Sequence, residues 1–321
     1  MKKSLIIFSC LIFLFIFTGF LSPYSPAKQK EQYAAMPPMR IHFWHEGKWI
    51  GPFVYNHKQQ PSLLGLFTRG DQYKILGIIV CNLHLFGTKE DMGMIAILGT
   101  DAFGRDVFSR LLWGGRLSLL IAACAALLSI LLSFYIGIIS AMNSRVDRIV
   151  QFTAELLKTI PRILLILVLA RLIPPTASAE HRAFSLIFIL SSLSWVYWEK
   201  IVRTLVYKAM GREYILCAWT QGAKGGNIIG MHIWPLLRNY FSTAFMNSLP
   251  LMLISEAMLS FLGVGIQEPC VSWGLMLNQL DSASNLMQMP WLISSAVVLM
   301  CTVLLVHHWG RFLQKETLSN V

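Results

Sequence analysis

Four ionisable side chains interrupt stretches that are otherwise apolar: Glu155, Lys158 and Arg162, which flank Pro161, and Glu256. At the centre of a bilayer each would cost about 2.5–3.5 kcal/mol on insertion scales, so they must lie at a membrane edge or face protein or a polar path. Along a single helix Glu155, Lys158 and Arg162 recur three and four residues apart and share one face. That face is expected to meet a partner subunit or a transport path, with Pro161 bending the helix; the alternative is a helix end that snorkels into the headgroups. Covalent and hydrolytic chemistry find no footing. The chain has no GxxxxGK[ST] phosphate loop, no HExxH and no matched acid–base pair in an apolar run, and its six cysteines show no CxxC spacing. His42, His45, His57 and His84 fit no standard zinc spacing and are expected at the surface, so neither a metal nor a cofactor is expected.

A second kind of chemistry, contact with another protein, is suggested by Arg212–Pro235. Glu213–Thr220 places Tyr214, Cys217, Ala218 and Gln221 on one helical face. Gly222, Gly225 and Gly226 are expected to break that helix, because glycine accepts the positive φ of a tight turn. Asn227 would cap a second short helix carrying Ile228, Ile229, Met231, Ile233 and Trp234 until Pro235 interrupts it. The product is a small helix-turn-helix beside a membrane.

In this loop Glu213, Ala218, Gly222, Ile228, Ile229, His232 and Pro235 fall as in the cytoplasmic EAA loop of ABC importer permeases of the dipeptide and oligopeptide type, which the chain resembles. A second stretch, Leu98 to Leu112 with Gly114, Arg116, Ser118 and Leu119, resembles that family's LGTDxxGRDxxSRLLxGxRxSL signature through Gly99, Thr100, Asp101, Gly104, Arg105, Asp106, Ser109 and Arg110. A third, Ser255 to Gln267 with Ser272-Trp273-Gly274, is similar to EAxLSFLGLGxQPPxPSWG; Glu268 and Cys270 stand where the family tends to have small residues or proline. In physical terms Thr100 or Asp101 can cap a helix, and Asp106 with Arg110 would make an i, i+4 pair on its surface.

The elements that must hold these residues are set by composition. With 55% hydrophobic and 13% charged residues the chain departs from soluble domains, which carry about a quarter charged, and belongs in a membrane. The net charge of +11 is spread in short segments beside apolar runs rather than in a stripe, so it orients the chain in the bilayer and no nucleic-acid partner is expected. Six spans are expected: Leu5–Leu21, Leu117–Ile139, Phe152–Ile173, Phe184 to about Val206, Phe241–Leu262 and Trp291–Val306. Both termini would be cytosolic, and the first apolar run would be retained as a helix rather than cleaved. Residues 22–98 read as an extracytoplasmic insertion with some β-structure, including a hairpin of Arg40–Trp44 and Lys48–Ile50 turned at Glu46-Gly47. Tyr73–Phe86, apolar but short, reads as a buried or interfacial segment. The organisation is thus an all-α polytopic membrane protein: a first helix over 1–21, the insertion over 22–98, and a permease core over 99–321 with a cytosolic loop at 207–238.

The resemblance implies more. It implies a subunit of a bacterial inner-membrane importer that pairs with a homologous second permease, takes peptide from an extracytoplasmic binding protein and is driven by two cytosolic ATPases. Arg212, Glu213, Tyr214, Ala218, Gly222, Ala223, Ile228, Ile229, His232 and Pro235 would form the surface gripped by an ATPase, and the chain itself would not be an enzyme. Nickel chelates or antimicrobial peptides are alternative cargoes within the family. An ATP-independent transporter, the reading from outside it, would more commonly show internal repeats or a polar pore face.

Overall fold

The computed structural model describes residues 16–56, 59–75, 79–88 and 94–319. Most of the first apolar run, and His57, lie outside these residues. The chain divides into two compact units, Met1–Leu119 with Ala257–Cys301, and Leu120–Glu256 with Thr302–Val321.

The first unit holds a short helix, α1 (Thr18–Leu21), and a four-stranded antiparallel sheet in the order β1 (His42–His45), β2 (Lys48–Tyr55), β3 (Pro61–Ile75) and β4 (Ile79–Thr88). The turn between β1 and β2 has positive φ at both Glu46 and Gly47, the backbone that two-residue hairpins need to match strand twist. Trp44 faces Trp49 and His45 faces Lys48 across it, as the hairpin reading expects. The described residues of Tyr73–Phe86 fall within β3 and β4, with Tyr73 paired to Cys81 and Lys74 to Val80; Tyr73 and His84 are buried, whereas Val80 and Leu83 are exposed. His84 is not a surface histidine. Its ring is buried, with Nδ1 2.6 Å from the Ser22 carbonyl oxygen and Nε2 2.9 Å from that of Asp71, so it ties the end of α1 to the sheet. His42 and His45 pack their rings on Phe53 and Tyr55.

The remaining elements are helical: α2 (Val107–Met142), α3 (Ser144–Thr159), α4 (Arg162–Arg171), α5 (Ala179–Met210), α6 (Glu213–Thr220), α7 (Gly225–Ile228), α8 (Trp234–Phe261), α9 (Trp273–Asn278), α10 (Ala283–Gln288) and α11 (Ser294–Ser319). Among the described residues four helical segments are long and apolar enough to cross a membrane: Val107–Met142, Ala179–Met210, Tyr240–Phe261 and Pro290–Gln314. The first has 36 residues, about 54 Å at 1.5 Å per residue, because the second half of the signature forms its opening turns.

Two expectations fail for backbone reasons. Phe152–Ile173 is not one bent helix: Ile160 is extended at φ −99° and ψ 131°, as a residue before proline prefers, so α3 ends and α4 starts afresh after Pro161. Asn227 does not cap a second short helix, and Pro235 does not stop one. Lys224 precedes the first helical turn, Gly225 and Gly226 lie inside it, and Ile229–Ile233 form a wider π-turn that leads into α8. A π-turn just ahead of Pro235 accommodates a residue that offers no N–H and crowds the preceding turn.

The second unit packs around Ile130, Phe134, Val202, Val206, Ala209, Ile215, Ile228, Ile233, Leu237 and Ala244. Ile215, Ile228 and Ile233 come from the expected loop, so three isoleucines root it in the core formed with α2 and α5.

Candidate functional site

The signature residues of the first unit build a buried charge cluster. Asp101 accepts from the backbone N–H of Phe103 and of Arg105 at 3.0 Å each, and from Arg105 Nε at 2.7 Å. Arg105 Nη1 and Arg110 Nη2 both donate to Glu268 Oε1, at 2.8 and 2.9 Å, and Arg110 Nε lies 3.6 Å from Asp101 Oδ2. Arg110 is 1% exposed and Asp101 fully buried, so the two guanidiniums need these two carboxylates to offset desolvation.

The expected Asp106–Arg110 surface pair does not form. Asp106 stands one residue before α2 and caps it, its Oδ2 accepting from Ser109 N at 2.8 Å and from Ser109 Oγ. Burial pushes this carboxyl up to about 6, against the Ser109 bonds that lower it and with the charge of Asp101 adding to the rise. Neither Thr100 nor Asp101 is the cap, since both precede the turn that α2 follows. Thr100 Oγ1 instead accepts from Met36 N at 2.8 Å and donates to the Tyr33 carbonyl. Gly104 has φ +70°, and a Cβ there would strike the Lys30 carbonyl oxygen; Gly99, at φ +75°, faces a similar constraint. The sequence singled out Glu268 only as a departure from a pattern. Its role as joint acceptor was invisible because its partner Arg110 is 158 residues away along the chain.

In the second unit Glu155 and Lys158 are exposed on α3, whereas Arg162 starts α4, so the three do not share one helical face. Lys158 and Arg162 do line one cavity of about 320 Å³, together with Tyr197, Trp198, Ser248 and Met252. Glu155 is not among its lining residues, and Glu256 is fully buried on α8. Polar side chains also join α3 to α5 and to the end of α2. Arg203 Nη2 donates to Asp147 at 2.8 Å, Ser140 Oγ to the same carboxylate at 2.6 Å, and Gln151 Nε2 to Glu199 at 3.1 Å. From sequence Arg203 was only one basic residue among several beside a span.

The loop presents a different surface. Gly222 adopts φ +84° with nothing within 4 Å of where a Cβ would stand, so the turn projects into open space. Arg212, Glu213, Tyr214 and Pro235 are exposed, Ala218, Ala223, Ile229 and His232 are half-buried, and His232 packs its ring against Tyr214 at 5.8 Å. Ile228 is fully buried and faces the chain's own core rather than the surface. The apolar side chains left outside are Tyr214, Leu216, Trp219, Met231 and Trp234, of which Met231 is 73% exposed. Leu216, Trp219 and Met231 went unnoticed as surface residues because hydrophobicity alone does not tell a root from a contact.

Residues 133–315 match the family described as "Binding-protein-dependent transport system inner membrane component". The chain is similar to a protein named peptide permease protein in Brucella suis biovar 1, 36% identical over 60% of this chain and 62% of that one. It is also similar to the oligopeptide transport system permease protein OppC of Bacillus subtilis, 32% identical over 60% of this chain and 61% of the relative. A match to the dipeptide transport system permease protein DppC of Lactococcus lactis subsp. cremoris is more extended, 28% identical over 88% of this chain and 76% of the relative. The match spans about three-fifths of the length of the first two relatives.

Proposed function

The chain belongs to the family of binding-protein-dependent transport system inner membrane components, and from that premise we propose that it is one permease subunit of an ATP-driven peptide importer. It pairs with a homologous second permease, receives peptide from an extracytoplasmic binding protein, and is coupled to two cytosolic ATPases that hydrolyse the ATP. It sits in the bacterial cytoplasmic membrane with six spans. The four long apolar helices account for four of these, the α3–α4 pair for another and the first apolar run for the sixth. Residues 22–98, which carry the sheet, form the extracytoplasmic insertion, and 207–238 the cytosolic loop.

The observation that carries the reading is the loop around Gly222. Inside the family-matched stretch, a turn with positive φ projects from a base of three buried isoleucines and carries exposed Tyr214, Leu216, Trp219 and Met231. Contiguous exposed apolar side chains beside polar ones are the surface a partner protein covers. A rooted loop also transmits force: a push on its tip is delivered through Ile215, Ile228 and Ile233 to α2 and α5. Such coupling is reciprocal in binding, so the peptide-loaded permease favours ATP binding by the same free energy by which bound ATP biases the permease.

Replacing Gly222 with valine tests this. A left-handed backbone costs a residue with a Cβ about 1–2 kcal/mol, and a β-branched one more, so the tip must refold although no neighbour is struck. Gly222→Val is expected to abolish peptide uptake and peptide-stimulated ATP hydrolysis while membrane insertion stays normal. Full uptake by that variant would refute the assignment.

A further inference from the structure

The cavity of the second unit brings two cationic side chains to a largely apolar wall. Its volume is about 320 Å³, at the lower end of the range for ligand pockets and about ten times the share of one water molecule, so a lone oxyanion would fill little of it. Most of the wall is apolar or aromatic, with Tyr197, Trp198 and Met252 prominent, while Lys158 and Arg162 bring positive charge and no carboxylate lines it. Arg162 is the telling residue. Its Nε is buried without a hydrogen-bond partner among the described residues, and its Nη2 meets only the Met252 sulfur, at 3.7 Å. Arg162 is half-buried, and a buried guanidinium nitrogen without a carboxylate or carbonyl partner is costly, a cost that an incoming oxyanion relieves through charge-assisted bonds. A third donor stands close by. Trp198 Nε1 donates to Ser248 Oγ at 2.6 Å, which leaves the Ser248 hydroxyl its own proton to give. Of the acids on neighbouring elements, Glu155 is exposed on α3, Glu256 is fully buried on α8, and Glu199 on α5 accepts from Gln151 and interacts with the charge of Lys158, which leaves Arg162 as the cation that the site turns on.

We propose that this cavity binds an organic carboxylate carried next to an apolar group, and that its occupant is the C-terminal end of a transported peptide. Arg162 receives the carboxylate, Ser248 and Lys158 add donors, and the aromatic wall takes the last side chain. The choice of occupant rests on the peptide-importer reading. The anion chemistry would also suit a lipid phosphate, which the test separates.

The complete importer, purified with its partner subunits, is titrated with a tripeptide ending in p-nitrophenylalanine, as free acid and as amide. Quenching of Trp198 fluorescence, taken as the difference from Trp198→Phe, is the binding readout. The acid is expected to bind about tenfold tighter than the amide. Arg162→Gln removes that preference and Arg162→Lys restores part of it. Equal binding of acid and amide to the native importer overturns the proposal, as does a preference that survives Arg162→Gln. Uptake of the same two peptides is then measured in vesicles of phosphatidylcholine with and without phosphatidylglycerol. Acid-selective binding without ATP-driven uptake of either peptide would leave the carboxylate site standing and remove the importer reading. ATP-driven uptake with an acid-to-amide ratio indifferent to Arg162→Gln would keep the importer and remove the site. If Arg162→Gln alters only the response to phosphatidylglycerol, the anion is a lipid phosphate and the peptide assignment falls.

Discussion

The signature cluster and the Gly222 loop are both carried by motifs of about two dozen residues, yet they spend their side chains in opposite ways. Around Asp101 the charged groups turn inward: Arg105, Arg110, Asp101 and Asp106 are all at most 4% exposed. Around Gly222 the charged and most of the bulky apolar side chains turn outward, while Ile215, Ile228 and Ile233 are fully buried in the core. The first arrangement fixes a turn in one conformation, because buried ions tolerate few geometries. The second keeps a rigid root and an available tip, as a surface that must be gripped and released requires.

That contrast is broken most directly by removing an inward charge. Arg110→Met leaves Asp101 and Glu268 with one guanidinium instead of two, and breaking a buried ionic set in this way costs about 3–5 kcal/mol. The folded yield in detergent should fall severely, and a near-normal melting temperature would show that the cluster is not structural. Next in size is the loop's root. Ile228→Ala deletes fully buried methylenes and should cost about 2–4 kcal/mol, read as a drop in thermal unfolding temperature. The exposed Met231→Ala, three residues on, should change stability by less than about 0.5 kcal/mol and yet lower peptide-stimulated ATP hydrolysis. If the two residues swapped these effects, the division into root and tip would be wrong.

Smaller effects sharpen the comparison through Asp106. Asp106→Ala removes a helix cap and should cost about 1 kcal/mol, whereas Asp106→Asn keeps an acceptor and should cost less. Burial raises this carboxyl to about 6, so the folded protein holds the proton more tightly than the unfolded chain. The group's favourable contribution is therefore complete below the ordinary carboxylate range and is lost as pH rises through about 6. The stability difference between wild type and Asp106→Asn should shift against the wild type between about pH 4 and pH 6 and be level above. A difference that does not vary with pH would place Asp106 in contact with water.

Much of this was legible in the sequence, and the omissions have physical causes. The long apolar helices, the hairpin at Glu46-Gly47 and the helix Glu213–Thr220 follow from local rules of hydropathy, turn backbone and helical spacing. Arg162 was misplaced because the three-and-four spacing was followed across Pro161, although the extended preference of Ile160 before it was the stronger local signal. The cap of α2 lies five to six residues beyond the expected Asp101 or Thr100, because Thr100, Asp101 and Asp106 are all good caps and only the start of the helix decides among them. The tie between Arg110 and Glu268, the burial of His84 against Ser22 and Asp71, and the role of Ile228 as an anchor depend on tertiary neighbours that no local pattern encodes.

The central claim is that the tip near Gly222 is held by an ATPase inside the cell. A single cysteine placed at Met231, in a chain otherwise freed of cysteine, should be captured by a short crosslinker onto a nucleotide-binding subunit of the assembled importer, with a yield that changes when ATP is bound. No capture in any nucleotide state, or labelling of that cysteine by an impermeant reagent added outside intact cells, would contradict it.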